Sequence, residues 1–322
     1  TRIGSLVHPM GYIGSRHQPG ATHVLLRGDI TALGPRVAPG GLSAFSGLPG
    51  DLRLPPDAPE ATRRYRFARW ITDLRNPLAA RVMANRVWQF HFGSGLVPNA
   101  SDLGFNGGHP SHPLLLDWLA SELIHSGWSL KHLHRLIVLS STYRQSSAIR
   151  ARAAARDAEN RWLWRFTPRR LEAEIVRDGM LAVSGELNRT MHGSSMQPFT
   201  VTVFNTSFYH LFDSPDAKFN RRTVYRANVI TGRDPLLDGF DCPSPSVATP
   251  RRRTTVTPSQ ALALMNNSFV LRQASQFARR VQEIAPDNPQ NQADWSFRLS
   301  LCRSPSLEER RQLASLIQDH GL

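Results

Sequence analysis

The chain has 322 residues, 40% of them hydrophobic, which is enough for one large or two ordinary domains with a real core. No run of 18 apolar residues occurs, so no membrane-spanning helix is expected. The formal net charge is +14, and all but two of the 39 basic residues, Lys131 and Lys218, are Arg. An Arg-for-Lys bias spread along a chain is compositional, whereas a nucleic-acid binder gathers its bases on one face among aromatics. An anionic-polymer (nucleic-acid) binder working through scattered arginines is therefore a disfavoured alternative, while an anionic partner such as a sulfated or uronic-acid glycan suits Arg forks equally well.

Residues 1–56 are rich in Gly and Pro and hold one strand candidate, His23 to Arg27, running into a turn at Arg27-Gly28-Asp29. Pro55, Pro56 and Asp57 mark a boundary, and a mainly helical domain is expected over 57–322. A first helix is predicted from about Ala58 to Thr72, with Phe67, Trp70 and Ile71 on one face. Asn76 and Pro77 are a helix cap and first residue. The apolar stripe that follows is Leu78, Val82, Val87 and Phe90, and Gly93 ends it. Ser111 opens the next helix, with Leu115, Trp118, Leu119, Leu123 and Ile124 at helical spacing and Gly127 as the stop. Ser129 caps another, running to about Tyr143. Leu171 to Gly185 is helical. Alternating residues at Thr200–Phe204 and Thr223–Ile230 read as strands, a small β element around 196–230. Thr257 and Pro258 start a helix, and Ser306 with Glu309 forms a capping box for the last one.

Four places can carry chemistry. The loop Asn99 to His112 holds Asp102, Asn106, His109 and His112 among glycines; His-x-x-His with Asp102 is a metal-ligand spacing, but Asp and Asn are also good turn formers. On the 76–92 helix, Asn85 and Arg86 sit among apolar residues, as buried anchors or a ligand fork. His132 and His134, two apart on a helix, do not neighbour each other and are poor joint ligands. The richest polar cluster is Asp238 and Asp241 near Arg251, Arg252, Arg253, Thr255 and Gln260. Next to the Thr257 helix start, it is either an anion site or a salt-bridged loop. Glu172 and Glu174 lie on different sides of their helix, and an ion pair from Glu172 to Arg169 accounts for the first. No G-x-S-x-G, P-loop, G-x-G-x-x-G or H-E-x-x-H occurs, so no catalytic residue is assigned. Cys242 and Cys302 belong to no CxxC or CxxCH motif, so no haem c attaches here. They are either free thiols or a bridge contributing about 4 kcal/mol in the chain-entropy account.

Three long blocks carry a family resemblance. The first is NPLAARVMANRVWQFHFGSGLVPNASDLGFNGGHPSHPLLLDWLASELIHSGWSLKHLHRLIVLSSTYRQSS at Asn76 to Ser147. The second is NRWLWRFTPRRLEAEIVRDGMLAVSGELN at Asn160 to Asn188. The third is FDCPSPSVATPRRRTTVTPSQALALMNNSFV at Phe240 to Val270. Together with THVLLRGDITALGPRVAPG at Thr22 to Gly40, they resemble domain-of-unknown-function family 1553. This is the planctomycete PSD-type C-terminal domain of large secreted proteins. Ala248, Thr249 and Pro250 stand where that pattern has Cys or Gly, so the loop's conformation is open there.

The resemblance implies a segment of a longer exported polypeptide, periplasmic or at the cell surface. It also implies upstream domains as partners, haem c in the missing upstream region, and a link to polysaccharide. The fold expected is mainly α, a compact multi-helix domain behind the Gly/Pro-rich segment. The leading function is a non-catalytic interaction or scaffold module contacting glycan, including anionic glycan, or a partner domain. The alternative is a glycan-active or haem-coupled redox enzyme whose site joins the 99–112 and 238–260 loops.

Overall fold

The computed structural model describes residues 17–321, so the first sixteen residues of the N-terminal segment lie outside the described part. The chain divides into two compact units, Thr1–Arg169 and Arg170–Leu322. Among the described residues it holds twelve helices and two small two-stranded sheets, a mainly α fold.

In the first unit, β1 (His23–Leu25) pairs antiparallel with β2 (Leu33–Arg36). The strand is shorter than the His23–Arg27 expectation because Arg27 and Gly28 take positive φ, at 53° and 79°. Asp29 then accepts from the backbone N–H and hydroxyl of Thr31, closing the turn. α1 (Glu60–Ile71) buries Trp70, whose indole N–H donates to Pro49 O over 3.0 Å and whose ring packs with Leu48 and Leu52. Gly41 lies under that ring: a Cβ there would come within 2.5 Å of it. Phe67 and Ile71 stay largely exposed.

α2 (Pro77–Phe92) begins as expected, with Asn76 accepting from Leu78 N and Pro77 at the first position, and Gly93 ends it at φ 81°. Its buried face is Ala80, Ala84, Val87, Trp88 and Phe92, with Phe90 on the outside. Small residues on this face let α3 (Pro113–His125) and α4 (Leu130–Leu139) approach closely. Leu116, Leu119, Leu123, Leu133 and Ile137 complete one core. His112, not Ser111, is the cap position of α3, and its side chain makes no cap bond. The helix from Ser129 stops at Leu139, not Tyr143, because Ser140 turns extended and caps a new short helix, α5 (Ser141–Arg144). A further short helix, α6, spans Ala151–Ala154.

The second unit starts with α7 (Ala173–Ser184), stopped by Gly185 at φ 87°. β3 (Phe199–Val203) and β4 (Ser207–Leu211) form a hairpin. Thr223–Ile230 is not a strand. Arg177 donates to the carbonyls of Phe219 and Arg221, and Asp178 accepts from the N–H and hydroxyl of Thr223. The segment is thus held at its start by side chains, Thr223–Tyr225 forms a 3-10 turn, and beyond it Arg226 makes an isolated bridge with Met196. α8 (Pro235–Gly239), α9 (Pro258–Asn266) and α10 (Ser268–Ile284) pack with α7 around Leu181, Leu236 and Phe269. α11 (Pro289–Leu301) and α12 (Leu307–His320) form a helical pair over Ala293, Ala314 and Ile317. The Ser306–Glu309 capping box is present.

Candidate functional site

The 99–112 loop belongs to the first unit. Asp102 is a turn former: its carboxylate accepts from Gly104 N at 2.7 Å. Gly107 is buried against the Asp102 carbonyl, where a Cβ would stand only 1.8 Å away. His112 sits beside Ser111, Nδ1 to Oγ 3.0 Å, with its ring edge-on to Trp162 at 5.4 Å between centroids. Asn106 and His109 are exposed, and their side chains make no hydrogen bond among the described residues. Asp102, His109 and His112 are not assembled as a metal set: among the described residues no group of three or more His, Cys, Asp or Glu is placed to hold a metal ion.

Trp162 is the residue that sequence reasoning passed over. It is 64% exposed, and its backbone N–H donates to Asp157 at 2.8 Å. Two residues on, the Trp164 indole N–H donates to Asp157 O. Asp157 thus fixes the approach of both tryptophans, and His112 steadies the exposed one. The signal was present in the run Arg161-Trp162-Leu163-Trp164-Arg165, where two tryptophans stand between arginines.

Asn85 is an anchor. It is fully buried, donating to Val97 O at 3.1 Å and accepting from Val97 N at 2.9 Å, so it fixes the start of the loop after α2. Arg86 is exposed, 6.0 Å over the Phe90 ring. His132 pairs with Glu122 at 2.9 Å. His134 instead meets His91 of α2, nitrogen to nitrogen 2.7 Å, and the Tyr143 ring stands edge-on to His91. Partial burial, then His134 and Arg169, hold the His91 imidazole below its usual value.

The 238–260 cluster belongs to the second unit. Arg252 forks onto Glu174 at 2.5 and 2.9 Å, with Glu172 at 3.5 Å. The expected Glu172–Arg169 pair gives way to this longer-range one. Asp241 accepts from the N–H and hydroxyl of Thr255 at 2.7 and 2.8 Å. Buried Gln260 donates to Thr255 O and accepts from Arg170. Arg233 pairs with Asp238 and Arg226 with Asp234. Arg251 and Arg253 are exposed and form no ion pair among the described residues.

A small cleft of about 70 Å³ lies among Glu174, Arg226, Arg233, Asp234, Asp238 and Cys242. Burial would raise the Glu174 carboxyl, but the Arg252 fork outweighs it and leaves it below its usual value. Burial, with Glu174 adding to it, pushes the Cys242 thiol up to about 11, so it stays protonated near neutrality and is a poor nucleophile. Cys242 and Cys302 are both free thiols.

Fold and geometry define the class: a mainly helical domain in two compact units, with paired charges in one and an exposed Trp beside a His in the other. Residues 63–317 match the family model described as PSD1, protein of unknown function (DUF1553), and the chain belongs to that family. No curated protein and no solved structure matches it.

Proposed function

We propose that the chain is a non-catalytic interaction module of a longer exported polypeptide, and that it contacts glycan through its first unit. Upstream domains of the same polypeptide are its structural neighbours in this reading, and the setting is periplasmic or cell-surface. The carrying observation is Trp162, a flat apolar ring 64% exposed and braced by the His112 edge. An isolated exposed apolar residue needs no explanation, but a braced indole is already ordered and loses little entropy on contact. A sugar ring presents the apolar C–H face that such an indole covers.

The polar cluster of the second unit supports the non-catalytic part. Glu174, Asp234 and Asp238 are each matched to an Arg, and the Cys242 thiol is held protonated. A glycan array with the purified chain, followed by a reducing-end assay on every hit, tests the reading. Binding without new reducing ends is expected. New reducing ends would replace the module with an enzyme, and an array with no hit would remove glycan as the ligand.

A further inference from the structure

We infer that the glycan is anionic, a sulfated or uronate polysaccharide, held by the arginine-rich loop between residues 146 and 166. This rests on the glycan reading above and adds its chemical class and its grip. The loop is closed at its base: Phe166 N donates to Ser146 O, Gln145 donates to Leu163 O, and Arg150 donates to Trp164 O. Within it stand Arg150, Arg152, Arg156, Arg161 and Arg165, against Asp157 and Glu159.

None of these five arginines makes an ion pair, and Asp157 spends its carboxylate on the backbone N–H groups of Arg161 and Trp162. In the second unit Arg226, Arg233, Arg252, Arg272, Arg303 and Arg310 are matched to carboxylates, and the exposed Arg251 and Arg253, without an ion pair among the described residues, flank the paired Arg252. Four of the five loop arginines are exposed. A pinned loop that gathers like charges without a carboxylate matched to any of them holds a cost that a bound polyanion would relieve. Guanidinium forks fit sulfate and carboxylate with two parallel hydrogen bonds, and they are weakly hydrated.

Stacking favours glycan over single-stranded nucleic acid. The Trp164 ring is flanked by Arg150 and Arg165, at 5.8 and 5.3 Å from its centroid, which leaves Trp162 as the exposed indole of the loop. Single-stranded nucleic acids use successive aromatic platforms, one per base. One open ring in a loop that also carries exposed guanidinium forks suits a sugar that carries charged substituents.

The test titrates dextran sulfate, alginate oligosaccharide, neutral dextran and a thirty-residue thymidine oligonucleotide into the whole chain at two salt concentrations. The two acidic glycans are expected to bind, weakening about tenfold between 50 and 200 mM NaCl as counterion release dictates. Combined Arg152→Gln, Arg156→Gln and Arg161→Gln, at exposed side chains with no partner, is expected to weaken them about tenfold with the melting temperature unchanged. Neutral dextran binding as tightly, with the loss on Trp162→Ala, would overturn the anionic class and leave the glycan reading standing. Tighter binding of the oligonucleotide, or full binding by the triple variant, would overturn the proposal. No binding by any probe would remove both readings.

Discussion

His91 and His134 share one hydrogen bond across α2 and α4, and such a pair is best served by neutral rings. Arg169 and His134 are the charged or titratable groups acting on His91, and Tyr143 offers only its ring edge. The folded value of His91 lies below 6.5, so near pH 6 the folded chain binds fewer protons than the unfolded one. Stability is therefore complete above the unfolded value and falls as pH drops through 6.5 toward the folded one. His91→Gln keeps a hydrogen-bonding side chain and cannot titrate. It is expected to lose less melting temperature than the parent between pH 7.5 and 5.5; equal losses would rule out the pair as a source of acid sensitivity. Asn85 makes the opposite kind of contribution, independent of pH. Asn85→Ala strands the buried N–H and C=O of Val97, which costs about 3 kcal/mol in urea unfolding. A cost under about 1 kcal/mol would mean that Val97 finds other partners.

At the scale of elements, caps and stops were the most legible part of the chain. Asn76, Pro77, Gly93, Ser129, Gly185 and the Ser306–Glu309 box act where local chemistry predicts, because each is satisfied within a few residues. Elements whose fate depends on distant partners were not legible. Thr223–Ile230 alternates like a strand, yet Asp178, more than forty residues back, takes the Thr223 N–H, and Arg177 holds the carbonyls of Phe219 and Arg221 just before it. The His91–His134 and Glu174–Arg252 pairs are likewise set by packing across long separations.

The 99–112 loop is an intermediate case. Its turn role for Asp102 is local, whereas the contact of His112 with Trp162 is not. Its shape rests on Gly107 more than on Gly108, since a Cβ at 107 collides with the Asp102 carbonyl while one at 108 meets open space. Gly108→Ala is expected to cost about 2 kcal/mol for its φ of 81° and ψ of 165°, a region that only glycine adopts readily, and Gly107→Ala more than that. Thermal melts giving the reverse order would contradict this account of the loop.

Across the whole molecule, the charge of +14 looked scattered along the chain, and in sequence it is. Pairing sorts it. Many arginines of the second unit are matched to carboxylates, while those of the 146–166 loop of the first have no carboxylate among the described residues, two of them lying over the Trp164 ring. Composition alone cannot show this, because pairing depends on which carboxylates the fold brings near. Family membership and helical class were legible from long motifs, and the structure and the family match agree with them. The candidate surface was not, since the 64% exposure of Trp162 depends on packing around Asp157 and His112 that its place in a motif block does not give.

The most direct measurement of the central claim is calorimetric titration of an array-selected glycan into the parent chain and Trp162→Ala. The account predicts binding to the parent, at least tenfold weaker binding to the variant, and equal melting temperatures for both. Equal affinities for parent and variant would contradict it.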